Sequence, residues 1–193
     1  MEVLHLIEVY QLLGNDDKAL LVAQRLRDKH NKNFTVLMAL INTQLVLGKR
    51  QDGIDTINRS LRFTVDFTLT QLLDIAKKQI QVEDINGAYS TLRKCLIQDP
   101  RYTPAIIELI KLETRQRNYD KALQLADQVI DIQPDSFLGH SLKGDILVFA
   151  NRTDEALLIY EKINATRPST SLHLKILQLH QDKKLSRGKL GQY

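Results

Sequence analysis

The sequence predicts an all-α fold, a right-handed α-α superhelix of stacked helix pairs. Three observations predict it. Of the four prolines in 193 residues, three stand at Pro100, Pro134 and Pro168, each 34 residues from the next. Gly14 and Gly48 keep the same interval. Small residues keep it too, at Ala19, Gly53, Ala88, Ala122 and Ala156, with a single step of 35 between Gly53 and Ala88. A fixed period in residues that break helices, or let them approach, marks an array of like units, none of which can bury its apolar face alone. No alternating β-rich runs with turn residues occur, so no strands are expected.

Each unit reads as helix A, a tight turn, helix B and a short loop. Helix A of the first unit carries Val3, Leu6, Ile7 and Tyr10, the i, i+3, i+4, i+7 stripe of an amphipathic helix. Gly14 is placed to end it, and Asn15 or Asp16 to cap the next. Helix B follows with Ala19, Ala23 and Leu26. The second unit repeats this with Leu37, Leu40 and Ile41, then Gly53, Ile57 and Leu61; the third with Leu72, Ile75 and Ala76, then Ala88, Leu92 and Cys95. The fourth has Ile106, Leu109 and Ile110, then Ala122, Ala126 and Val129; the fifth has Gly144 and Leu147, then Ala156, Tyr160 and Ile163. Pro100, Pro134 and Pro168 stop the last three B helices, because proline lacks the N–H donor and clashes with the preceding turn. The expected units are 1–33, 34–68, 69–102, 103–136 and 137–170, with a terminal helix at 171–182 and a basic, disordered tail at 183–193. Residues 1–182 form one array, and the extra residue falls in the loop 64–68.

Composition narrows the class. Hydrophobic residues make up 43% and charged residues 26%, which fits an ordered globular chain and excludes collagenous or disordered ones. No apolar run reaches the roughly 20 residues of a membrane helix. The Met1 region lacks a basic segment and a small-residue cleavage site. One cysteine excludes an internal disulfide framework. The net charge of +4 belongs to Lys183, Lys184, Arg187 and Lys189, which all follow the last acid, Asp182; the rest is balanced. Nucleic acid is therefore not an expected partner, since a binder carries its basic stripe on the folded body.

No catalytic constellation emerges. His173 and His180 are the histidines that share the terminal helix, but they are about 10 Å apart by helical rise, too far to bind one ion readily, and no pair has the i, i+4 spacing of a helical metal site. Cys95 holds a core position, where a free cysteine acts as a small hydrophobe. No glycine-rich phosphate loop or nucleophile elbow is present. We expect no enzyme activity, no cofactor and no metal.

These residues resemble the tetratricopeptide repeat (TPR), whose unit has small residues where its two helices cross, an aromatic in helix B and a closing proline. The fifth unit fits best, with Gly144, Leu147, DEALLIYEKI and Pro168. The fourth follows with NYDKALQLADQVIDIQP, and the first with Tyr10, Gly14 and Ala19. Lys143 departs from the usual leucine, and no repeat has the usual tryptophan. The segment LGHSLKGDILVFANRTDEALLIYEKINATRPSTSLHLKILQLHQ is also similar to the long TPR lipoproteins of the bacterial exosortase (PEP-CTERM) sorting system. That resemblance implies a fragment of a longer envelope protein, outside the cytoplasm, tied to the membrane only through a lipidated N-terminus absent here. Without it, the expected location is the cytoplasm.

The TPR resemblance implies a groove lined by the A helices that takes a peptide or partner protein. The register places Met38, Asn42 and Val46 on it from the second unit, and Leu73, Lys77 and Gln81 from the third. Ile107, Lys111 and Arg115 follow from the fourth, and Ser141, Asp145 and Phe149 from the fifth. One position recurs as Glu8, Asn42, Lys77, Lys111 and Asp145, a polar ladder that is positive at its middle. Lys77, Lys111 and Arg115 are suited to a carboxylate, with Leu73, Ile107 and Phe149 as apolar flanks. The chaperone-carboxylate type of TPR site is disfavoured: Asn42 matches it, but Met38, Asp74, Pro104 and Glu108 do not. The expected function is a protein-interaction module. The competing expectations are a spacer or self-association segment, through apolar Leu172, Leu174 and Ile176, and the regulatory part of an enzyme whose catalytic domain lies elsewhere.

Overall fold

The computed structural model describes residues 2–63 and 66–190. Among them are eleven helices and no strand: α1 (Glu2–Leu12), α2 (Asp16–Lys29), α3 (Phe34–Val46), α4 (Arg50–Phe63), α5 (Leu69–Gln81), α6 (Ile85–Gln98), α7 (Thr103–Arg115), α8 (Tyr119–Ile132), α9 (Phe137–Phe149), α10 (Thr153–Thr166) and α11 (Thr170–Leu190). Odd-numbered helices are the A helices and even-numbered ones the B helices. The chain divides into two compact units, Met1–Gln98 and Asp99–Tyr193. The first holds three helix pairs, α1–α6; the second holds two pairs, α7–α10, and α11.

Every A-to-B turn is built the same way. One residue adopts a left-handed conformation at Gly14 (φ 67°), Gly48 (69°), Glu83 (59°), Arg117 (62°) and Asn151 (58°). The next residue sends its N–H back five positions, the 6→1 bond of the Schellman pattern. Asn15 donates to Tyr10 O, Lys49 to Gln44 O, Asp84 to Gln79 O, Asn118 to Glu113 O and Arg152 to Leu147 O, each at 2.8 Å. Glycine bears this conformation without strain, whereas Glu83, Arg117 and Asn151 bear it at a cost. Asn15 begins α2 as expected, but its side chain makes no capping bond.

The loops into the A helices are capped individually. Asn33 Oδ1 accepts from Val36 N at 3.2 Å. Thr68 and Gln71 form a reciprocal capping box. Pro104 pre-sets the first turn of α7, and Ser136 Oγ accepts from Leu138 N at 3.3 Å. Helices α6, α8 and α10 end at Gln98, Ile132 and Thr166, two residues before their prolines. The single extra residue is also visible: α2 and α4 start 34 residues apart and α3 and α5 start 35 apart. The insertion thus falls between Phe63 and Leu69; residues 64 and 65 of the expected loop lie outside the described residues.

The recurring small residues are where the helices touch. Ala19, Ala88, Ala122 and Ala156 have no exposed surface, and Gly53 is buried. In the first unit Ala19 and Ala23 pack with Ile7, Leu20 and Leu40. In the second, Leu147, Ala156, Leu157, Tyr160, Ile163 and Ile176 form one cluster. Cys95 is fully buried. The stripe assigned to α1 holds for Ile7, while Leu6 stays 40% exposed and Val3 lies outside the described side chains.

One expected boundary is corrected. The terminal helix does not stop at 182, nor is the stretch after it disordered from 183: α11 continues to Leu190. Lys183, Lys184 and Leu185 are good helix formers and no proline interrupts them. Residues 191–193 lie outside the described residues.

Candidate functional site

In the first unit, the expected groove residues sit on α3 and α5. Asn42, Lys77 and Gln81 are exposed, and Val46 is 69% exposed. Met38 is half-buried. Gln81 Oε1 accepts from Lys78 Nζ at 3.1 Å. Leu73 is a correction: it is buried, at 8% exposure. It adjoins Leu72 and stands where the groove face of the helix meets the core, so an apolar side chain there turns inward. It cannot be an apolar flank of a groove.

In the second unit, the residues sit on α7 and α9. Lys111 and Arg115 are exposed, and Ile107 and Ser141 half-buried. Phe149 is 63% exposed. Lys111 Nζ lies 2.8 Å from Glu108 Oε1, so its charge is shared with its own helix. Asp145 is a second correction. Its Oδ1 accepts from Tyr160 Oη at 2.6 Å and from Lys175 Nζ at 2.7 Å. It fastens α10 and α11 to α9 and is not a free rung of the polar ladder. Burial, and then the Asp145 carboxylate, push the Tyr160 phenol well above the usual tyrosine range.

A feature the periodicity does not announce lies between successive B helices. In the first unit a cleft of about 810 Å³ opens between α2 and α4, floored by Leu40 and Gln44 of α3. In the second unit a cleft of about 570 Å³ opens between α8 and α10, beside Phe137, His140 and Lys143 of α9. The signal that can locate them is the alignment of one repeat on another. Among the described residues, no group of three or more His, Cys, Asp or Glu is placed to hold a metal ion. No helix among them is long and apolar enough to cross a membrane.

A sequence model of the tetratricopeptide repeat matches residues 79–146. No curated protein matches the chain. Among solved structures, a tetratricopeptide repeat protein from Parabacteroides merdae is 18% identical with a TM-score of 0.67, over 93% of this chain and 71% of that one. YrrB, described as a TPR protein with an unusual peptide-binding site, is 14% identical with a TM-score of 0.60, over 92% of this chain and 91% of its own. A thermophilic TPR protein from Thermus thermophilus is 20% identical with a TM-score of 0.56, over 93% and 98%. At such identities the likeness concerns the fold, which is one typical of protein–protein interaction modules. The all-α class expected from the proline and glycine spacing is thereby met, and the repeat match and the shared helix-pair fold support a tetratricopeptide repeat protein.

Proposed function

We propose that the chain is a non-enzymatic interaction module that takes a peptide or protein partner on the exposed faces of its A helices. The observation that carries this reading is the face of α3 and α5. There Asn42 and Val46 are exposed one turn apart on α3, Lys77 and Gln81 are exposed one turn apart on α5, and Lys77 makes no ion pair among the described residues. A cation with its charge unspent, in a unit that also exposes apolar Val46, suits a carboxylate-bearing partner segment. On the second unit Phe149 and Lys111 supply the same pairing of chemistries, with Lys111 partly neutralised by Glu108. The test is affinity capture from the native host with the wild type and the Lys77→Glu/Lys111→Glu variant. Loss of captured partners supports the reading; an unchanged set refutes the role of both lysines.

A second reading, self-association, is favoured by one observation: Leu174, Leu177 and Leu185 on α11 are 61%, 46% and 65% exposed. Sedimentation across a concentration series separates the two, because a strict monomer excludes it. The resemblance of residues 138–181 to exosortase-associated lipoproteins adds a place for the module, the bacterial envelope, resting on sequence alone. A lipobox cysteine in the upstream reading frame is the observation that decides it.

A further inference from the structure

The clefts between B helices occupy equivalent places in the two units, and four aligned positions at them are opposite in character. Helices α2, α3 and α4 align with α8, α9 and α10 at a constant offset of 103 residues. In the second unit the four aligned positions are Ile130, Leu147, Ile159 and Ile163; Ile130, Ile159 and Ile163 line the cleft, and Leu147, Ile159 and Ile163 belong to or pack on one apolar cluster. The same four positions in the first unit are Arg27, Gln44, Thr56 and Ser60. A core site that one repeat fills with four aliphatic side chains holds four polar ones in the other. Polar groups at such positions cost stability unless they are satisfied, so their presence calls for a ligand or for a complete internal network.

The internal network is incomplete. Gln44 is 6% exposed, and its Oε1 is buried with no hydrogen-bond partner. The equivalent glutamine of the next repeat shows what completion looks like: Gln79 Oε1 accepts from Thr91 Oγ1 at 2.7 Å, and Gln79 Nε2 reaches Asp84. Thr56 stands where Thr91 does, yet makes no such bond to Gln44. Arg27 is half-buried; its one hydrogen bond is from Nη2 to Ser60 Oγ at 3.4 Å, and no carboxylate pairs with it among the described residues. Ser60 in turn donates to Thr56 O at 2.9 Å. The cleft thus offers one half-buried guanidinium without a carboxylate partner and one orphan acceptor.

We propose that the α2–α4 cleft is a binding site for a peptide segment carrying a carboxylate, Arg27 holding the carboxylate and Gln44 Oε1 accepting a backbone N–H of the segment. The rim sets the charge of the occupant. Lys32 and Arg59 face three carboxylates there, Asp28, Asp52 and Asp55; with Arg27 the cleft is neutral overall, so a phosphate, with more charge than a carboxylate, is repelled more strongly by the aspartates. The site lies on the B-helix side and is independent of the A-helix face assigned above.

The test uses the full chain, labelled with nitrogen-15. The probes are a pool of acetylated hexapeptides with Glu fixed at the centre, the matching pool with Gln there, and inorganic phosphate. The Glu pool is expected to shift the side-chain amide of Gln44 and the Nε–H of Arg27, at concentrations at least ten-fold below the Gln pool. Gln44→Leu and Arg27→Ile, the residues of the apolar cleft, are expected to abolish binding and raise the thermal midpoint. Arg27→Lys, which keeps the charge and loses the planar fork, is expected to weaken binding several-fold in a fold left unchanged. The proposal is overturned if peptide binding survives Arg27→Lys and Gln44→Leu undiminished, if phosphate matches the Glu pool, or if peptide shifts fall only at Val46 and Lys77.

Discussion

Gly144 and Tyr160 share one space. A Cβ on Gly144 would stand 2.5 Å from Tyr160 Cε1 and 2.8 Å from its Cζ. Gly144 of α9 is therefore the seat of the aromatic ring of Tyr160 on α10, which is 1% exposed and anchored by its phenol to Asp145. The Gly144→Ala variant gains helix propensity but overpacks this contact. The clash wins, because the ring is held at both ends and cannot swing away. A net loss of about 1–3 kcal/mol is expected, read from chemical denaturation; a neutral or stabilised variant would show that the ring is not fixed.

The phenol makes a pH prediction with a definite sign. Burial, and then Asp145, raise the folded-state pKa of Tyr160 above the unfolded value. Below the ordinary tyrosine pKa of about 10 both states keep the proton and the contribution is fully present. Above it the unfolded chain binds fewer protons than the folded one, so stability falls as pH rises. Tyr160→Phe lacks this component. Its stability, followed from pH 9 to 11.5, should fall less steeply than that of the wild type; parallel curves would contradict the assignment.

The sequence disclosed the skeleton because the skeleton depends on residues with unusual backbone chemistry. The three prolines and the small residues at crossings have few other uses, and the helices fall where they predict. The turns were legible only where glycine occupies the left-handed position. Glu83, Arg117 and Asn151 take the same conformation without the residue that announces it. The candidate face was half legible. Exposed Asn42, Lys77 and Phe149 follow from helical register, but register cannot tell that Leu73 turns inward or that Asp145 is bound by Tyr160 and Lys175, residues 15 and 30 positions away. The α2–α4 cleft was hidden for another reason: a polar residue at a core position looks like a degenerate repeat until the folded repeats are superposed.

The turns supply a matched pair of substitutions. A Cβ on Gly48 would meet nothing within 4 Å, so Gly48→Ala tests backbone conformation alone. It should destabilise by about 1 kcal/mol. Arg117→Gly, at the equivalent turn, relieves the same strain and should stabilise by up to about 1 kcal/mol, reduced by the entropy glycine adds to the unfolded chain. Opposite signs in thermal unfolding are the expected outcome, and equal signs would refute a common turn.

Helix α11 is held differently from the helices before it. Ile176 is its fully seated apolar anchor, with Leu172 and Leu179 partly buried beside it. Two charged pairs add to it, Lys175 to Asp145 at 2.7 Å and Lys183 to Asp154, and the His180 ring lies 3.3 Å from Glu161 as a hydrogen-bond neighbour. Exposed pairs contribute about 0.2–1 kcal/mol each and are screened by salt. The two charged pairs together set an opening equilibrium that sodium chloride at 1 M, against 0.05 M, should shift by about two- to thirty-fold. Amide hydrogen exchange gives the measurement, since it resolves local opening from global unfolding. Exchange across α11 should accelerate with salt while α9 and α10 stay protected. If α11 is indifferent to salt, its docking is apolar, and the exposed Leu174 and Leu177 are then the surface to test for burial against a second copy.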